Sequence, residues 1–154
     1  MELTEADIHA LVEEIWASYL MLDVVPAPAP GSEGQSLSAL IHIHGSWEGT
    51  VILHCTRALS EQIAGAMFAV DPGELTDDEI GDAVGEIVNM LGGSVKSLVD
   101  GPASLSLPTV IGGAQYVVQI PGSTVLNEVW FTTGDQPMVV SILQRASAEI
   151  PATL

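Results

Sequence analysis

After Thr4, apolar residues recur at every third or fourth position. Ile8, Leu11, Val12, Ile15, Tyr19 and Leu22 share one stripe, which predicts a helix over 5–21 with Thr4 as its cap. From Pro26 to about Ser36 the chain turns to Pro, Ala, Gly and Ser. A single helix cannot bury its own apolar face, so this stretch is expected to be a long surface loop within a domain rather than a linker. Alternating patterns over 38–44 and 50–55, around the turn Gly45-Ser46-Trp47-Glu48-Gly49, predict a hairpin. Pairing Ile43 with Val51 places Ala39, Ile41 and Ile43 on the same face as Val51, Leu53 and Cys55. A second helix is expected over 59–70, ended by Asp71-Pro72-Gly73. A third starts at Thr76, with Glu79 placed for a capping box, and runs to about Leu98, before Asp100-Gly101-Pro102. Short strand-like runs follow at 104–110, 116–120, 125–133 and 138–144. Hairpins and helices without regular βαβ alternation predict an α+β fold, with helices packed on a largely antiparallel sheet in one domain spanning 1–154.

The two capped helices also match each other. Leu3-Thr4-Glu5-Ala6-Asp7-Ile8 aligns without gaps on Leu75-Thr76-Asp77-Asp78-Glu79-Ile80, and the same offset pairs Val12 with Val84, Glu14 with Glu86 and Ile15 with Ile87. An ancient duplication leaves this pattern, and so do any two capped amphipathic helices. Of the polar set Asp82, Glu86 and Asn89 in the second copy, the first keeps only the glutamate: Ala10, Glu14 and Ala17 stand at those positions.

Composition narrows the function classes. The 154 residues carry 20 Asp+Glu against 3 Lys+Arg, a net charge of -17. Arg57, Lys96 and Arg145 cannot form a basic stripe, which excludes a nucleic-acid or anionic-membrane surface. A mean hydropathy of +0.40 is far from that of a disordered acidic chain. Cys55 alone closes no internal disulfide, the N-terminus lacks a signal-peptide pattern, and a cytoplasmic address is expected.

The chemistry concentrates on the third helix. Ile80, Val84, Ile87, Leu91, Val95 and Leu98 form its apolar stripe, and Asp82, Glu86, Asn89 and Gly93 lie opposite, one turn apart in succession. Asn is a poor helix former, and Gly85, Gly92 and Gly93 each cost about 1 kcal/mol relative to Ala. Glycines on an exposed face let another backbone approach. The face therefore reads either as a docking surface centred on a carboxylate and a carboxamide, or as a solvated face with incidental glycines.

The stretch Asp78-Glu79-Ile80-Gly81-Asp82-Ala83-Val84-Gly85-Glu86-Ile87-Val88-Asn89-Met90-Leu91-Gly92-Gly93 resembles the signature helix of the CheC/CheX/FliY chemotaxis phosphatases. The later Leu105-Ser106-Leu107-Pro108-Thr109-Val110-Ile111-Gly112-Gly113 is similar to the strand entry that follows it. One complete motif with a degenerate first helix makes the chain CheX-like. The family pattern has its proline farther on than Pro108, close to where Gly112 stands, so Pro108 has no role assigned. The resemblance implies hydrolysis of the phospho-aspartate of a CheY-like response regulator. Asn89 would position the attacking water, Glu86 would pair with the regulator's lysine, and Asp82 and Gly93 would support docking. It also implies a homodimer and no cofactor of its own, with Mg²⁺ supplied by the regulator. The non-catalytic alternative is a flagellar-switch-like or regulator-binding module, and another is a sensory domain for a small ligand or metal.

Other residues invite weaker readings. His42, His44 and His54 share the outer face of the hairpin, but no fourth zinc ligand is apparent. Cys55 is expected in the core, and Ser94, Ser97 and Ser104 lack a nucleophile elbow. Trp16, Trp47 and Trp130 are expected as packing anchors, with Trp47 at the hairpin tip a partner contact if exposed.

Overall fold

The computed structural model describes residues 2–28, 34–114 and 116–146. Helix α1 (Glu5–Ile15) runs into a π-helical turn, Trp16–Leu20, and the short strand β1 (Val25–Pro26) follows. The hairpin β2 (Gln35–Gly45) and β3 (Gly49–Thr56) leads into α2 (Arg57–Phe68), and after a 3₁₀ turn (Pro72–Glu74) comes α3 (Asp77–Lys96). Four strands close the fold: β4 (Ala103–Leu105), β5 (Thr109–Ala114), β6 (Ser123–Thr133) and β7 (Gln136–Arg145). All pairings are antiparallel, in the order β1-β6-β7-β3-β2-β4, with β5 also on β2. The three helices pack on one sheet face around Ile8, Trp16, Ile41, Leu53, Ile63, Ile87 and Phe131. This is the α+β architecture expected from the sequence.

The topology is that of a duplicated unit. Both capping boxes form, Thr4 with Asp7 and Thr76 with Glu79, and Ile8, Val12 and Ile15 are buried like their counterparts Ile80, Val84 and Ile87. Hairpins β2–β3 and β6–β7 meet where β3 pairs with β7 at the sheet centre. The edges are exchanged: β1, after α1, joins β6, whereas β4 and β5, after α3, join β2. Symmetry fails at the π turn, whose five residues carry Ala17 off the register of Asn89. Trp16 is fixed there, donating its Nε1–H to Thr133 Oγ1 at 2.9 Å.

Several expectations need correction. Ile43 pairs with Gly49, and Val51 with Ile41, so the hairpin register is displaced by two residues. An even slip preserves the faces, and Ala39, Ile41, Ile43, Val51, Leu53 and Cys55 are all buried in the main core. The turn is shorter than expected because Trp47 folds onto Gly49, buried as the packing anchor it was expected to be. The first helix is α-helical only to Ile15, and Met21 adopts a left-handed conformation at φ 55°. Within the expected loop, Pro26 pairs with Phe131, residues 35–36 already belong to β2, and 29–33 lie outside the described residues. Residues 116–120 form no strand. Their alternation instead lays Val118 and Ile120 over Leu40, Ile52 and Leu143, a second small core on the outer face of the sheet. Leu98 follows the end of α3 and is exposed.

Candidate functional site

The capping box fixes the start of α3. Thr76 Oγ1 accepts the Glu79 backbone N–H at 3.2 Å, and a Glu79 carboxylate oxygen accepts the Thr76 backbone N–H at 3.0 Å. Ile80, Val84, Ile87, Leu91 and Val95 then bury one face, which fixes the helix's rotation and turns Asp82 and Glu86 to solvent. Asn89 and Gly93 continue that row, half-buried. Among the described residues, side-chain hydrogen bonds on α3 are confined to its ends: the capping box, Arg57 to Asp77, and Ser97 to the Ser94 carbonyl just past the helix. The Glu86 carboxylate and the Asn89 carboxamide are thus available to an incoming group.

The glycines divide differently from the expectation of one exposed face. Gly85 and Gly92 are buried and admit the protein's own strands. A Cβ on Gly92 would stand 2.7 Å from Ile41 Cγ2, and one on Gly85 would stand 3.5 Å from Val110 Cγ2 and 3.6 Å from Pro108 Cγ. Only Gly93 of the three opens outward, with nothing within 4 Å. The contrast is measurable by chemical denaturation. Gly93→Ala is expected to stabilise by about 0.5–1 kcal/mol through helix propensity. Gly92→Ala is expected to destabilise by about 1–2 kcal/mol net, because the stiff, fully buried Ile41 must move.

Pro108 acquires a place here that its spacing did not reveal. It packs on Gly85 and, with Val110, walls a 670 Å³ groove whose other side carries Asp77, Asp78, Asp82 and Glu86. Gln35, Leu37, Gly112 and Gly113 also line the groove. Arg57 sits in it as well, bound to Asp77 and, at 3.2 Å, to Glu61. The hydrogen bond to Asp77 holds this guanidinium firmly charged, so it is already committed and the groove stays predominantly acidic. Sequence reasoning missed Pro108 and Arg57 because both reach the site from elements distant along the chain.

The rival features resolve into structural roles. His54 faces Ser38, four residues along β2 from His42, and each imidazole Nδ1 has a hydroxyl partner: Ser38 Oγ at 2.6 Å and Thr50 Oγ1 at 2.8 Å respectively. Burial lowers the pKa of both, and for His42 the neighbouring His44 adds to the effect. Among the described residues, no group of three or more His, Cys, Asp and Glu side chains is placed to hold a metal ion. Cys55 is buried, and desolvation pushes its thiol up to about 12, which rules out a ready thiolate. Among the described residues, no helix is long and apolar enough to cross a membrane.

A capped helix thus presents a carboxylate and a carboxamide one turn apart above an antiparallel sheet of duplicated topology. The family model for chemotaxis phosphatase CheX matches residues 37–132, more than half of the chain, and the chain belongs to that family. No curated protein sequence matches it. Solved structures share its fold. Chemotaxis protein CheX from Vibrio vulnificus superposes with a TM-score of 0.75 at 21% identity, covering 90% of this chain and 93% of that one. CheX from Desulfovibrio desulfuricans gives 0.73 at 19%, covering 90% and 97%. A chain of the CheX–CheY–BeF3–Mg²⁺ complex from Borrelia burgdorferi gives 0.70 at 20%, covering 92% and 96%.

Proposed function

We propose that this phosphatase removes the phosphoryl group from the aspartate of a CheY-like response regulator, using Asn89 to position the attacking water and Glu86 to pair with the regulator's lysine. The observation that carries the reading is the row Asp82, Glu86, Asn89, Gly93 on one helix, its central carboxylate and carboxamide free of side-chain hydrogen bonds among the described residues. The CheX–CheY complex among the structures of similar fold supports this choice of partner.

Hydrolysis of an acyl phosphate asks little covalent chemistry of the enzyme. The water oxygen bonds to phosphorus as the bond from phosphorus to the aspartate oxygen breaks, giving inorganic phosphate and a free carboxylate. The barrier falls mainly through placing the water in line with the leaving oxygen. The Asn89 carboxamide oxygen can accept one water proton and so aim a lone pair at phosphorus. It does not titrate, and the water's protons end on phosphate and solvent. One turn away, Glu86 offers a full negative charge to the lysine, fixing the helix's approach, and Asp82 extends the anionic edge. Gly93 keeps the far end of the row low enough for close approach. Mg²⁺ belongs to the regulator in this scheme, and the phosphatase contributes no metal of its own. A single catalytic domain over 1–154, acting as a homodimer, completes the proposal; family membership supports the dimer, and sedimentation tests it.

The direct test mixes the purified protein with a phosphorylated CheY-like regulator and follows phosphate release. Turnover well above spontaneous decay is expected. Tight binding without turnover would instead favour the non-catalytic, switch-like alternative.

A further inference from the structure

The edge of the sheet beside Glu86 carries a defect with an outward consequence. Leu105 pairs with Ile43 and Thr109 with Leu40, so the three residues Ser106, Leu107 and Pro108 face only Ile41 and His42 of β2. What reads in sequence as one strand over 104–110 is one edge strand interrupted by a one-residue bulge. Two bonds pin the bulge. The Ser106 backbone N–H donates to the His42 carbonyl at 2.9 Å, and Ser106 Oγ accepts the His42 backbone N–H at 2.9 Å. Pro108, which has no N–H, sits where the ladder needs none.

The bulge reverses the alternation. Without it, Leu107 would follow Leu105 toward the helices. With it, Pro108 and Val110 turn to Gly85, and Leu107 is left 88% exposed, more than any other large apolar side chain among the described residues. Bulges beside functional sites commonly re-aim a side chain in this way. Here the re-aimed leucine adjoins the proline that packs against α3 next to Glu86.

We propose that Leu107 is an apolar docking knob for the response regulator, seated beside the regulator's phosphorylation site while Glu86 holds its lysine. The inference rests on the functional reading above and names a contact outside the helix row. Continuity selects the occupant, because Leu107 directly precedes Pro108, which lines the same groove as Asp82 and Glu86. Charge selects against a second copy of this chain at this face, since that would bring two grooves carrying Asp77, Asp78, Asp82 and Glu86 face to face.

The experiment titrates a CheY-like regulator loaded with beryllium fluoride and Mg²⁺ into the parent protein, Leu107→Ser and Leu107→Asp, and measures steady-state turnover in parallel. The side chain is exposed, so both variants are expected to melt with the parent. Kd and KM are expected to rise about tenfold for the serine variant and further for the aspartate, with kcat within twofold, as for an apolar anchor that only binds. Unchanged Kd and KM overturn the proposal. So does loss of a dimer of this chain without loss of regulator affinity. Binding that depends on Leu107 in a protein without turnover would overturn the catalytic reading alone and leave the docking knob standing.

Discussion

Asn89→Ala is expected to slow phosphate release from the phosphorylated regulator by about a hundredfold or more, the scale seen when one preorganised polar group is removed from a reaction centre. The loss should fall on kcat, because in the proposed role the carboxamide orients water rather than binding the regulator. The protein itself should be slightly more stable, since alanine exceeds asparagine in helix propensity and the carboxamide has no hydrogen bond to lose among the described residues. Glu86→Gln provides the contrast. Removing the charge while keeping the shape should raise KM and weaken its dependence on salt, with a smaller effect on kcat. Stopped-flow release with a phosphate sensor, run over a range of regulator concentrations, separates the two constants. If Asn89→Ala decays the phosphoprotein as fast as the parent, water positioning lies elsewhere.

How much of this was open to reading in the sequence depended on how local each cause is. The capping boxes and the stripe from Ile80 to Val95 are set by neighbours three or four residues apart, and α3 formed as expected. The Asp82, Glu86 and Asn89 row shares that spacing and was equally visible. The hairpin register was misread by two residues because it is set by Trp47 lying on Gly49, a tertiary contact with no periodic signature. Alternation at Val118 and Ile120 revealed which side faces inward, but the partner proved to be a sheet face and not a neighbouring strand. The bulge at Ser106 to Pro108 was hidden for a similar reason. Which residue becomes the extra one is decided by Gly85, across the groove, making room for Pro108 and Val110. Gly85 and Gly92 looked like Gly93 along the chain and differ only in what the fold brings opposite them.

The largest expected effect on stability comes from Gly49→Ala, at about 3 kcal/mol or more, a large share of the roughly 5–15 kcal/mol that holds a domain of this size. Gly49 lies in β3 between Ile43 of β2 and Gln144 of β7, so both its neighbours are fixed by ladders. The Trp47 ring and the Leu143 carbonyl oxygen, 2.3 Å from the added Cβ, occupy the space a methyl group needs. Removing the ring tests which clash matters. Trp47→Ala should not rescue Gly49→Ala, because the carbonyl can retreat only by opening the β3–β7 pairing at the sheet centre. Urea denaturation of the two single variants and the double variant measures the coupling. A Gly49→Ala variant within 1 kcal/mol of the parent would show that the strands yield there. Full rescue by Trp47→Ala would show that the ring, not the β7 backbone, fills the site. Gly49 lines no part of the groove beside Glu86, so at temperatures where the variant remains folded its phosphatase constants should match the parent's.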